Sequence, residues 1–146
     1  MIVVFDMDNT LADELGKQAR PGAVALLDRL KADGGFELAL WTSSTRERAR
    51  IILAEHGLDG YFGTFIYRED YDPANLGAFK DIRDIGGVYL IDDDPKQIDF
   101  VKSVGLGGFL ITAYRGGDDP APGEWEELWK ALKWARLKHR LFGWLR

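Results

Sequence analysis

A doubly wound α/β domain built on a five-stranded parallel sheet is the fold this sequence predicts, on three observations. Short apolar runs rich in β-branched and aromatic residues alternate with stretches of helical apolar spacing along the whole chain. The apolar runs are continuous, as strands covered on both faces require. Two of them end directly in grouped carboxylates, Asp6 and Asp8 after the first and Asp92, Asp93 and Asp94 after the fourth. The carboxyl ends of such strands are where open parallel sheets bind ligands.

The elements follow in order. Residues 2–5 form the first strand, and the polar stretch 12–18 is too short and mixed for an element. Arg20-Pro21-Gly22 opens a helix with Pro21 in its first turn and Val24, Leu26, Leu27 and Leu30 as apolar positions; Asp33-Gly34-Gly35 ends it. Residues 36–41 are the second strand. Ser44 or Thr45 can cap a helix over 46–56 that has Ile51, Ile52 and Leu53 on its core side. Residues 64–67 make a third strand, 68–75 a charged and aromatic loop, and a short helix then carries Phe79, Lys80 and Ile82. The fourth strand spans 88–91, and Pro95 starts a helix with Ile98, Phe100, Val101 and Val104 facing inward. Gly105, Gly107 and Gly108 read as a helix stop and a tight turn, because a dinucleotide-binding glycine loop would follow a strand instead. Residues 109–111 are the fifth strand, 114–123 a Gly/Pro/Asp loop, and a last helix begins at about Glu124.

Composition narrows the function classes. At 146 residues the chain fits one domain, residues 1–146. It has no cysteine, which excludes disulfides, a thiolate zinc site and a cysteine nucleophile. The net charge of −5 argues against sheathing a nucleic-acid backbone, but does not bar a phosphorylated substrate whose charge is met locally. No stretch approaches the length of a membrane span, and Met1 leads straight into the first strand, so a cytoplasmic protein with no membrane partner is expected.

Asp6 and Asp8 stand at i and i+2 near a strand end, where period-2 geometry starts both side chains off on one side. One metal and one phosphate could lie between them, and a hard Mg²⁺ takes few oxygen ligands from protein. The alternative is an acidic turn whose Asp and Asn only cap the loop. Asp92-Asp93-Asp94 place three like charges at a buried strand end, which costs stability unless a cation offsets it. Asp94 is the natural cap for the helix starting at Pro95. Thr42 and Ser43 follow the second strand, beside helix N–H groups suited to an anion, though either could be a plain helix cap. Lys80 alone reads as a surface lysine on an amphipathic helix.

Asp6-Met7-Asp8-Asn9-Thr10 resembles the first signature of the haloacid-dehalogenase-like (HAD) superfamily, most members of which are phosphatases. The resemblance implies a Rossmann-like three-layer sandwich, Mg²⁺ as cofactor, Asp6 as the nucleophile that becomes an aspartyl-phosphate, and Asp8 as general acid/base with its backbone carbonyl on the metal. Thr42 matches the second signature as a phosphate-binding hydroxyl and Lys80 the third, its ammonium offsetting the charge of nucleophile and phosphoryl group. Asp92 and Asp93 match the carboxylates of the metal site, either of them the direct ligand. A carboxylate at Asp8 separates phosphatases from the dehalogenases that named the superfamily.

The intervals from Thr10 to Thr42 and from Thr42 to Lys80 are used up by core elements, so no cap domain fits and an open site is expected. Among capless members the sequence is most similar to the carboxyl-terminal-domain phosphatases, which act on phosphoserine and phosphothreonine in proteins. Arg20-Pro21-Gly22, Leu40-Trp41-Thr42-Ser43-Ser44, Tyr67-Arg68-Glu69 and Ile91-Asp92-Asp93-Asp94-Pro95 carry that similarity, and it puts Arg68 on the substrate side. Asn9 replaces an acidic residue of that branch, and its β-hairpin insertion is missing. The capless magnesium-dependent phosphatases are a near relative, which keeps aryl, sugar or nucleotide phosphates open as substrates. A non-catalytic phosphate- or partner-binding module on the same fold is the reading from another class.

Two further features stand apart from the site. His56 sits at a helix end where a partly cationic imidazole suits the dipole, and His139 lies in the basic tail. The segment from Trp125 carries Leu128, Trp129, Leu132, Leu137, Leu141, Phe142, Trp144 and Leu145, and no acidic residue occurs from Leu128 onward. Its first half is expected to pack on the sheet. The rest, 134–146, forms a basic amphipathic extension suited to a membrane surface, a partner or, the favoured expectation, self-association into a homo-oligomer.

Overall fold

The computed structural model describes residues 1–143; Trp144 and Leu145, counted in the apolar stripe above, lie outside the described residues. Five parallel strands stand in the order β3-β2-β1-β4-β5, with β1 (Ile2–Phe5) in the centre. Its Val3, Val4 and Phe5 are fully buried, which explains a run with no polar residue. Period-2 alternation assigns them to opposite faces. Val3 and Phe5 join the core under α1 (Ala23–Asp33), α2 (Arg46–Glu55) and α5 (Glu124–Phe142), while Val4 joins the core under α4 (Pro95–Ser103). The result is a three-layer sandwich, and among the described residues nothing is inserted that could serve as a cap.

The chain leaves β1 toward β2 (Glu37–Trp41) on one side and later returns to β4 (Gly87–Asp92) on the other. Phe5 pairs with Ile91, and Asp6 N–H donates to the Ile91 carbonyl at 3.0 Å. The two carboxylate-bearing strand ends therefore meet where the winding direction reverses, the crevice in which this fold class binds ligands.

Several expected boundaries shift. Helix α1 begins after Gly22, whose φ of +86° is a left-handed conformation, so Pro21 precedes the helix and does not open its first turn. Val24 is partly exposed, and Ala23 takes its place against the core. In α2, capped by Thr45, the buried positions are Ala49, Ile52 and Leu53; Ile51 points outward because three consecutive residues cannot share one helical face. After β3 (Thr64–Ile66) a short helix α3 (Arg68–Tyr71) stands where a loop was expected. Lys80 is not on a helix: it lies in an irregular segment before a 3-10 turn, Ile82–Ile85.

The glycines are the instructive correction. Strand β5 is Gly107–Leu110, so Gly107 and Gly108 belong to the strand and not to a turn. A Cβ on Gly107 would come within 2.3 Å of the Tyr89 ring, and one on Gly108 within 3.1 Å of Val101 on α4. Close approach across the sheet requires glycine at 107, and the tight fit between sheet and helix favours it at 108. In α4 Phe100 and Val104 are only partly buried, whereas Gln97 is buried. Helix α5 buries Trp125, Leu128 and Leu132 but leaves Trp134, Leu137, Leu141 and Phe142 exposed. Two of its basic residues are engaged within the fold, Lys133 and Arg136 both pairing with Asp33 at the end of α1. Among the described residues no helix is long and apolar enough to cross a membrane.

Candidate active site

Asp6 sits at the centre of a cavity of about 500 Å³ at the carboxyl edge of the sheet, lined also by Asp8, Ser43, Tyr71, Lys80, Asp92 and Asp93. Its two oxygens are fixed separately: Oδ1 accepts from Lys80 Nζ at 2.8 Å and Oδ2 from Thr10 Oγ1 at 3.0 Å. The same ammonium donates to Asp92 Oδ2 at 2.8 Å, and Asp92 Oδ1 takes Asp94 N–H at 3.0 Å. All three charged partners are buried. Burial pushes the Asp6 carboxyl up to about 6 against the opposing pull of Lys80, and Asp92 also to about 6, burial again first and the Asp6 charge second. Burial alone would lower the Lys80 ammonium, but the two carboxylates outweigh it and hold it above its ordinary value.

One lysine does not balance this many carboxylates, and the donor set shows what would. Asp6, Asp92 and Asp93 each present an oxygen within 4.8 Å of the others. An all-oxygen group of this size, lining an open cavity, fits a hard divalent cation that keeps part of its water shell. Asp93 is the least buried of the three, and burial raises its carboxyl. The Asp8 carboxylate lies outside the group. Asp94 is occupied as expected, its Oδ1 accepting Lys96 N–H at 3.0 Å to cap α4.

Thr42 is fully buried, and its Oγ1 accepts Ser44 N–H at 3.0 Å, which leaves the hydroxyl hydrogen available as a donor. The N-cap of α2 is Thr45, so neither Thr42 nor Ser43 is there to cap the helix. Ser43 reaches the cavity rim. Arg68 is not part of the cavity lining: its Nε donates to the Ser43 carbonyl at 2.7 Å and braces that rim from behind.

A sequence model of NLI interacting factor-like phosphatases matches residues 1–140. The chain belongs to that family. It is thereby a phosphatase of the HAD superfamily. A hydrolase from Streptococcus pneumoniae TIGR4 superposes with a TM-score of 0.63 at 13% identity, over 90% of this chain and 97% of that one. A phosphoglycolate phosphatase, so named by prediction, from Haemophilus somnus 129PT gives 0.64 at 15%, over 90% and 97%. A HAD-superfamily hydrolase from Ehrlichia chaffeensis gives 0.55 at 17%, over 73% and 89%. These likenesses speak to the fold. No curated protein matches the chain significantly by sequence.

Within this NLI interacting factor-like phosphatase, several residues that shape the site carry no motif of their own. Gln97 fixes the Lys80 segment, its Oε1 accepting Lys80 N–H at 2.7 Å and its Nε2 donating to the Ala78 carbonyl at 3.3 Å. Asp72 accepts the N–H groups of Leu76, Gly77 and Ala78 and so shapes the loop leading to Lys80. Tyr71 lines the cavity and packs edge-on against Trp41, ring centroids 5.3 Å apart. Arg48 reaches Asp8 Oδ2 at 3.0 Å. The one sequence signal for Gln97 was its place one turn into a helix that starts at the acidic cluster; a polar residue there faces the site. His56 Nε2 lies 2.8 Å from the Gly16 carbonyl, so it ties the 12–18 segment to α2 rather than simply ending a helix. Asn9 adopts a φ of 62°, and its carbonyl accepts Tyr114 N–H at 2.7 Å. Asparagine tolerates that left-handed turn.

Proposed function

We propose that this phosphatase is a Mg²⁺-dependent phosphomonoesterase that works through an aspartyl-phosphate on Asp6. The observation that carries the proposal is the double anchoring of Asp6, by Lys80 on one oxygen and Thr10 on the other, inside a group of carboxylates that lacks enough cation. A buried carboxylate oriented in this way is a nucleophile held ready, not a structural acid.

Mg²⁺ would be held by Asp6, Asp93 and the Asp8 backbone carbonyl, and when bound it supplies charge neutralisation at the phosphoryl oxygens. Asp93 is favoured over Asp92 because it is the less buried of the two, where a cation can keep part of its water shell. A carboxylate oxygen of Asp6 attacks phosphorus in line as the bond to the leaving oxygen breaks, and that oxygen takes a proton from Asp8. Water then attacks the phosphorus and gives a proton back to Asp8. The bond between phosphorus and Asp6 breaks, releasing inorganic phosphate and the free carboxylate. Lys80 and the Thr42 hydroxyl stabilise the equatorial oxygens in both steps, the electrostatic contribution on which phosphoryl transfer depends.

The uncapped cleft suits a phosphorylated side chain on a protein, with small phosphate esters as the alternative substrates. A cytoplasmic setting and self-association through the exposed Trp134, Leu137, Leu141 and Phe142 belong to the same proposal. The test is hydrolysis of an aryl phosphate with and without Mg²⁺, beside Asp6→Asn. Activity should vanish with chelator and with the substitution while the variant melts as a folded protein. Full activity in Asp6→Asn would sink the assignment.

A further inference from the structure

Arg48 lies in the first turn of α2, and its backbone N–H donates to the side chain of the cap residue Thr45. From that fixed base the guanidinium joins three separate segments. Nη1 donates to Asp8 Oδ2 and to Ser44 Oγ, both at 3.0 Å, and Nη2 donates to the Glu14 carbonyl. A planar fork held at three points has little freedom left, so the oxygen it grips is fixed in direction as well as distance. The other oxygen of the same carboxylate, Asp8 Oδ1, is buried and has no hydrogen-bond partner among the described residues.

A stabilising role alone does not account for this arrangement. The Arg48 side chain is 38% exposed and that of Asp8 24%, and ion pairs this open to water add little to stability. What the contact does is fix the direction of a carboxylate whose residue lines the cavity beside Asp6 and Lys80.

We propose that Arg48 is the positioning residue for proton transfer by Asp8. By gripping one oxygen it fixes the orientation of the carboxyl group that gives a proton to the leaving oxygen and later takes one from the attacking water. When the carboxyl group gives up its proton, the carboxylate left behind stays paired with the guanidinium. The inference rests on the reading of Asp8 as acid/base, and it adds the residue that orients it.

The test uses leaving groups that differ in their need for a proton. 4-Nitrophenyl phosphate leaves readily as the anion, whereas phenyl phosphate depends more on protonation. With Mg²⁺ present, Arg48→Met should lower kcat/KM for phenyl phosphate by roughly a hundredfold, the scale of general-acid catalysis, and for 4-nitrophenyl phosphate by about tenfold less. Arg48→Lys should recover part of the loss, and in an Asp8→Asn background Arg48→Met should add almost nothing. Equal losses on both substrates, or losses that add fully to those of Asp8→Asn, would overturn the proposal. Melting curves confirm that each variant is folded. If the wild-type protein turned over neither ester, the proposed function itself would fail, an outcome distinct from equal losses in an active enzyme.

Discussion

Lys80 Nζ stands 2.8 Å from Asp6 Oδ1 although the two residues are 74 positions apart, and the same nitrogen is 2.8 Å from Asp92 Oδ2. One ammonium thus joins the ends of the two central strands at the point where the sheet reverses its winding. It is counter-ion to both carboxylates, and in the proposed mechanism it also offsets the charge of the phosphoryl group.

Lys80→Met should therefore be costly twice over. Removing one partner of a buried ion cluster leaves Asp6 and Asp92 uncompensated, a loss of about 3–5 kcal/mol. Denaturant melts would show it, and added Mg²⁺ should restore part of the stability by supplying the missing charge. Turnover should stay near background even where the variant is folded. Wild-type stability in the variant would mean that the cluster is neutralised in another way.

The raised carboxyls predict a pH dependence with a definite sign. Asp6 and Asp92 move from 3.8 to about 6 on folding, so between those values the folded protein holds protons that the unfolded chain has released. Their contribution to stability therefore falls as pH rises through that window and stays at its lower level above it. A cation held at this cluster relieves the charge only where these groups are ionised. The rise in Tm on adding Mg²⁺ should be larger at pH 7.5 than at pH 5, read by thermal melts at fixed ionic strength. An equal rise at both would argue against binding at this cluster.

Gln97 offers a test of positioning. Gln97→Leu removes the bonds to Lys80 N–H and the Ala78 carbonyl. The stability lost should be about 1–3 kcal/mol, the cost of leaving buried polar groups unpaired. Because these bonds place the segment that carries Lys80, kcat should fall further than the loss of stability alone would produce in a protein still folded at the assay temperature. An unchanged kcat would show that the Asp6–Lys80 contact holds that segment without help.

Much of this protein was legible in one dimension because burial writes itself into composition. A strand covered on both faces must be apolar throughout, so Val3, Val4 and Phe5 announce a central strand without any partner being known. Carboxylates that end such strands announce the crevice. Where local rules compete, the sequence is less explicit. Lys80 in a run of Phe, Lys, Asp and Ile looks helical, yet Gln97 and Asp72 satisfy the backbone of that region from outside, and it remains irregular. Gly107 and Gly108 look like a turn until the Tyr89 ring and Val101 occupy the space where their side chains would be.

The sequence by itself determined the fold class, the order of the five strands and the long helices between them, and the residue types that gather at the sheet's carboxyl edge, since each follows from local periodicity or from chemistry carried by a short run. Only the tertiary structure decided which oxygen meets which donor: Thr10 and Lys80 dividing Asp6 between them, Asp92 bound on both oxygens, and Arg48 holding one side of Asp8. Such pairings join segments that are distant in the chain and depend on angles and sub-ångström distances. No local pattern encodes them; they exist only once the layers have packed and the strand ends have met.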